Sequence, residues 1–143
     1  MYKSAQGNYL ANPSFEKGIE DWVINNGNDG ASAIDTASAI NGKQSLKVTR
    51  ASAGDQFQYE GHNFGTYIGG RTFTLSAFVK TRGITGKGVH LRMYWQDASG
   101  AWIWDNTEYS PVVDGTKDWT KLTVTGTAPA GAQSVVGLVV SQF

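Results

Sequence analysis

The chain has 143 residues, twelve Lys and Arg against twelve Asp and Glu, and no Cys, which fits one domain with its own core better than two. Balanced charge supplies no net field for nucleic acid or an anionic membrane, no stretch approaches the ~20 apolar residues of a membrane helix, and the lack of Cys excludes disulfides, thiolate metal sites and thiol catalysis. Aromatics at 12%, among them five Trp, together with eighteen Gly and only 17% charged residues suit short strands joined by tight turns.

The start, Met1-Tyr2-Lys3-Ser4, runs into polar sequence without an apolar stretch, so a secreted form would have its signal removed or carried upstream. From there the apolar residues alternate with period two between Gly, Asn, Asp and Pro. Tyr9 to Glu16 reads as a first strand interrupted at Asn12-Pro13, followed by short strands near Trp22 to Asn25 and Ala31 to Asp35. Asn41-Gly42 marks a turn, and Ser45 to Arg50 follows with Leu46 and Val48 on one side. Gln56 to Glu60 puts Phe57 and Tyr59 on one face and leaves Gln58 on the other.

The middle of the chain alternates most clearly. Thr72 to Thr81 places Phe73, Leu75, Ala77 and Val79 on one side, and Gly88 to Asp97 does the same with Val89, Leu91, Met93 and Trp95. Ala101 to Asp105, Thr120 to Thr125 and Ser134 to Gln142 complete the set. Roughly nine short strands without a helical segment mean an all-β sandwich or barrel.

The opposite parity of the two clearest strands carries the functional signal. With the odd residues of Gly88 to Asp97 in the core, His90, Arg92, Tyr94 and Gln96 share the other face. In Thr72 to Thr81 that face holds Thr74, Ser76, Phe78 and Lys80. Asp97-Ala98-Ser99-Gly100 fits a type I turn closed by a Gly bulge, a three-residue hairpin loop that sets Gln96 opposite Trp102 and Tyr94 opposite Trp104. A two- or four-residue loop would instead bring both indoles beside Trp95, and three crowded indoles pack poorly. Trp102, Trp104, Tyr94, Gln96, Arg92, His90, Phe78 and Gln58 are therefore the candidate ligand-binding residues, while Trp22 and Trp119 read as packing at a sandwich edge.

Sugar rings offer flat C–H faces to Trp and Tyr, and their hydroxyls suit planar Arg and Gln groups. Aromatic platforms also serve single-stranded nucleic acid, but there a basic groove is expected. Catalysis has little to work with. The chain holds two His, His62 and His90, and no G-x-S-x-G, and carboxylates near the platform such as Asp97, Asp105 and Glu108 serve sugars as hydrogen-bond acceptors as well as they would serve hydrolysis. The expectation is a non-enzymatic polysaccharide binder, with a structural or adhesive module of a larger surface or tail protein as the alternative.

Six segments in order carry a resemblance. They are Asn8-Tyr9-Leu10-Ala11-Asn12-Pro13-Ser14-Phe15-Glu16, Trp22, Gly42-Lys43-Gln44-Ser45-Leu46-Lys47-Val48, Gly70 to Lys80, Asp118-Trp119-Thr120-Lys121-Leu122 and Pro129-Ala130-Gly131-Ala132. Together they resemble carbohydrate-binding module families 4, 9, 16 and 22 over nearly the whole chain. The resemblance implies a two-sheet antiparallel β-sandwich, a galactose-binding-like jelly roll, as a single domain over 1–143. It also implies a β-linked glucan, mannan or xylan held on the concave sheet, attachment to a polysaccharide-degrading enzyme, and an extracellular or cell-surface location. Similar modules carry a structural calcium ion, for which Glu16 and the backbone of Lys43 match two ligand positions. The third, an Asp in a further strand, has no counterpart before Phe143.

Overall fold

In a computed structural model that describes residues 8–27, 29–50, 52 and 54–142, alternation becomes strand in all but one of the expected places. The polar start Met1-Tyr2-Lys3-Ser4 and the final Phe143 lie outside the described residues. The strands are β1 (Val23–Asn25), β2 (Gly30–Asp35), β3 (Ser45–Arg50), β4 (Asp55–Asn63), β5 (Thr72–Gln96), β6 (Trp102–Tyr109), β7 (Val113–Thr127) and β8 (Ser134–Gln142), and no helix occurs among the described residues.

The exception is the expected first strand. Residues 8–22 form turns, because the Asn12 side chain competes for the backbone that a ladder would use. Its Nδ2 donates to the carbonyls of Gly18 and Glu20 at 3.0 and 2.9 Å, and its Oδ1 accepts from Lys17 N at 3.3 Å. The Trp22 indole N–H donates back to the Asn12 carbonyl at 2.8 Å, and Phe15 lies 4.9 Å from the Trp22 ring. Asn12 is accordingly buried.

β5 joins the two layers. Its first half, Thr72 to Thr81, pairs antiparallel with β7, and its second half, Gly88 to Gln96, pairs with β8 and β6. Register shifts between Thr81 and Val89 coincide with positive φ at Gly83, Gly86 and Gly88, the conformation that lets a strand leave one layer for the other. At Gly88 a side chain would also lack room, since a Cβ would stand 2.5 Å from the Val113 carbonyl oxygen. The larger sheet runs β1-β4-β8-β5-β6, while β2 and β3 form a separate hairpin.

Between the layers lies the main core. Phe73, Leu75, Ala77 and Val79 from the first half of β5 and Leu122 and Val124 from β7 pack with Leu91, Met93 and Trp95 from its second half. Next to this apolar core the inner face of β4 is polar. Gln56, Gln58 and Glu60 are all buried, Gln56 Nε2 donates to the Thr49 carbonyl at 3.2 Å, and the Glu60 carboxylate accepts from Ala11 N. Glu60 Oε2 and both polar atoms of the Gln58 amide find no partner among the described residues. Burial raises the Glu60 pKa above its ordinary value, the amides of Ala11 and Asn12 acting against it.

Candidate functional site

Alternation in β4, β8, β5 and β6 sends a second set of side chains to the outer face of the larger sheet. Cross-strand pairing lines them up: Tyr59 sits opposite Leu138, Leu138 opposite Arg92, Arg92 opposite Tyr109, and Gln96 opposite Trp102. Val136, Leu138 and Val140 of β8 form a floor packed by Phe57, Tyr59 and Tyr94.

The hairpin into β6 decides where the indoles go. Asp97 N donates to the Ala101 carbonyl at 2.9 Å, Gly100 N to the Asp97 carbonyl at 3.1 Å, and Gly100 has φ 84°, which is the three-residue loop with a Gly bulge. The Asp97 carboxylate gathers the loop, accepting from Ser99 Oγ at 2.7 Å, Ser99 N at 2.8 Å and Ala101 N at 3.0 Å. The Ser99 hydroxyl, then these amides, hold its pKa below the usual carboxylate range. Trp102 and Trp104 consequently face outward, 37% and 62% exposed, while Trp95 is fully buried.

Beyond Trp102 and Ile103 the strand bulges. Ile103 pairs with Trp95, but Glu108 is the residue opposite Met93, so the segment from Trp104 to Thr107 loops out of register. Asn106 takes positive φ there, its carbonyl accepts the Trp95 indole N–H at 3.1 Å, and Thr107 Oγ1 donates to the Trp104 carbonyl at 2.7 Å. The bulge therefore ties the exposed indole strand to the buried indole. The Trp102 and Trp104 rings lie nearly parallel, 18° apart with centroids separated by 5.8 Å, and Tyr94 meets both edge-on.

These rings wall a cleft of about 320 Å³ lined by Asn25, Phe57, Tyr59, Arg92, Tyr94, Trp102, Trp104 and Leu138. Arg92 is held from three sides: its Nε donates to His90 Nε2 at 2.8 Å, Nη1 to the Tyr94 hydroxyl at 3.3 Å, and Nη2 to Gln142 Oε1 at 3.2 Å. Its guanidinium also lies 5.2 Å from the Tyr109 ring centre. Because His90 Nε2 accepts this bond, the imidazole is neutral. Burial, and then the charge of Arg92, push its pKa down against a smaller opposing pull from Asp55.

Of the residues singled out from sequence, Trp102, Trp104, Tyr94 and Arg92 line one cleft. Gln96 and His90 share the same face toward its two ends, outside the lining. Two candidates go elsewhere. Gln58 points inward and is buried, because β4 turns its aromatic side to the cleft and its amide side to the interior. Phe78 lies on the half of β5 that pairs with β7, so its exposed face belongs to the other layer, beside the hydroxyl ladder Thr74–Thr125 and Ser76–Thr123. Asn25, Phe57, Tyr59 and Leu138 were missed. The alternation that sets Phe57 and Tyr59 together was visible, and what it withheld was which side of the strand faces out.

The two positions inferred from the resemblance as calcium ligands, Glu16 and Lys43, lie side by side. Glu16 Oε1 accepts from Lys43 N at 2.8 Å and Gln44 N at 3.2 Å, so the loop turns amides toward the carboxylate. Calcium takes about six to eight oxygen ligands, yet no group of three or more His, Cys, Asp or Glu able to hold a metal gathers among the described residues.

The described residues thus form a two-layer antiparallel sandwich with an aromatic cleft on one sheet. The family described as a carbohydrate binding domain, that of module families 4 and 9, matches residues 7–141, and the chain belongs to it. Solved structures share the fold, three of them with the following likeness. A tailspike protein 4 domain of bacteriophage CBA120 superposes with TM-score 0.71 at 14% identity, over 95% of this chain and 19% of that one. A Clostridium thermocellum N-terminal endo-1,4-β-D-xylanase structure, of CBM22 and GH10 modules complexed with xylohexaose, gives 0.61 at 21%, over 91% and 25%. A xylan-binding domain of family 22 gives 0.60 at 18% identity, over 96% and 94%. The chain thus spans about a fifth and a quarter of the first two and nearly all of the third. No curated protein sequence matches it.

Proposed function

We propose that this domain binds a β-linked polysaccharide (glucan, mannan or xylan) in the cleft, without catalysis, and holds an attached enzyme or surface protein against that polymer at the cell surface or outside the cell. The observation that carries this reading is the pair of near-parallel, exposed indoles flanked by Tyr94. Their 5.8 Å separation is comparable with one pyranose unit along a glycan chain. The xylan-binding domain of like fold supports xylan as one candidate polymer. Stacking dominates affinity here, because each hydroxyl moved from water to protein exchanges one hydrogen bond for another.

Titration of the folded domain against glucan, mannan and xylan oligosaccharides tests the proposal. Trp104→Ala should weaken binding by about 1–3 kcal/mol, by analogy with base–aromatic stacking. Equal affinity for wild type and both Trp102→Ala and Trp104→Ala would move the ligand to another surface, such as the Tyr9, His62 and Phe64 ring cluster. A second reading, a structural or adhesive module of a tail or surface protein, draws on the tailspike domain of like fold. Failure to retain any polysaccharide would favour it.

A further inference from the structure

Resting on the glycan-binding reading, we infer that the polymer carries carboxylates, as a uronic-acid-containing chain does, and that Arg92 is the residue that selects it. The cleft lining contains one charged side chain, Arg92, and no Asp or Glu. Among the described residues Arg92 forms no ion pair. Its three hydrogen bonds go to a neutral imidazole, a phenol and an amide. Asp55 joins this hydrogen-bond network through Gln142, whose Nε2 donates to Asp55 Oδ2 at 3.4 Å, and acts on His90 through space, but makes no ion pair with Arg92.

A half-buried guanidinium without an ion-pair partner is costly to desolvate, and three neutral acceptors fix its plane while leaving part of its donor fork unspent. That fork matches a carboxylate bidentately. A neutral sugar would leave the charge unanswered, and the uncharged amide of Asn25 at the same cleft would serve its hydroxyls as well. The aromatic walls stack on the ring of a uronic acid as they do on a neutral pyranose, so the two recognition elements act on one ligand.

The test uses three matched pairs of oligosaccharides: a β-1,4-glucan and its uronate, a mannan and polymannuronate, and a plain xylan and one bearing glucuronic acid branches. Calorimetric titration of the wild-type domain should show, in at least one pair, the acidic member binding on the order of ten-fold tighter. That preference should shrink as salt is raised, fall away in Arg92→Gln, and be only partly kept in Arg92→Lys, which retains charge without the planar fork. Trp104→Ala should weaken both members of the pair alike. Neutral members binding as well as acidic ones in every pair would overturn the inference and leave the glycan reading standing, as would a preference that survives in folded Arg92→Gln. Should Arg92→Gln not fold, a wild-type preference insensitive to salt would overturn it equally. No binding to any of the six would defeat the glycan reading and this inference together.

Discussion

Glu60 illustrates what a single side chain contributes and costs in this fold. Its carboxylate caps the amide of Ala11 from the inner face of β4, while the second oxygen is buried with no partner among the described residues. Burial raises its pKa, so the folded state holds the proton at pH values where the unfolded chain has released it. A raised folded pKa contributes stability that is fully present below the unfolded value, about 4.3 for Glu, and is lost as pH rises through the folded pKa. Glu60→Gln keeps an oxygen for Ala11 and removes the charge. Its melting temperature should exceed that of wild type at pH 7, and the gain should disappear near pH 4. A variant less stable than wild type at neutral pH would mean that the ionised carboxylate is needed to hold the turns of residues 8–22. At this scale the cleft was partly legible: the parity of Tyr94 and Arg92 and the Gly at position 100 located four lining residues. Gln58 was misplaced because an apolar side of a strand ordinarily faces the core, and β4 inverts that rule by burying Gln56, Gln58 and Glu60.

Among the elements, β5 shows most clearly where alternation stops being informative. Both halves keep their odd residues in the core, and period-two reading finds them. It does not reveal that the even residues of the two halves belong to opposite sides of the sandwich, which is why Phe78 was grouped with Arg92. Layer membership is set at the Gly-rich junction, where Gly83, Gly86 and Gly88 take positive φ. Gly88→Ala should therefore lower stability by about 1–3 kcal/mol, the cost of a non-Gly residue in a disfavoured backbone region, with the clash at the Val113 carbonyl added. Urea unfolding should show a lower midpoint with an unchanged slope. A shift of no more than a few tenths of a molar would show that the junction relaxes at little cost. The segment from Tyr9 to Glu16 failed for a different reason, since side chain–backbone hydrogen bonds of Asn12 leave no trace in hydrophobic periodicity.

For the molecule as a whole, the all-β sandwich was legible because strand patterning, turn residues and the order of six segments agree, and the family match over residues 7–141 agrees with them. Calcium was expected from resemblance alone, and at the Glu16 corner one carboxylate oxygen accepts from the amides of Lys43 and Gln44. Since a ligand that binds the native state raises its stability, calcium held at Glu16 would raise the melting temperature and chelation would lower it, and no shift in either direction would mean that this chain does not hold the ion. A rise of several degrees with calcium would show that further oxygen ligands converge on Glu16. Glu16→Ala, in contrast, should lower the melting temperature with or without the ion, because the amides of Lys43 and Gln44 lose their acceptor.

The bulge in β6 reaches further than the placement of Trp104. β6 ends the ladder of the larger sheet, and an exposed edge strand with two indoles would ordinarily invite a second chain to pair along it. Pairing of that kind needs an uninterrupted run of backbone donors and acceptors in regular register. Looping out Trp104 to Thr107 breaks the run, and Asn106 turns its backbone carbonyl back to Trp95 while its side-chain Nδ2 donates to the Thr127 carbonyl at 3.0 Å. An exposed pair of indoles is thereby separated from a regular pairing edge, so the face that stacks rings does not also offer a second chain a continuous backbone ladder.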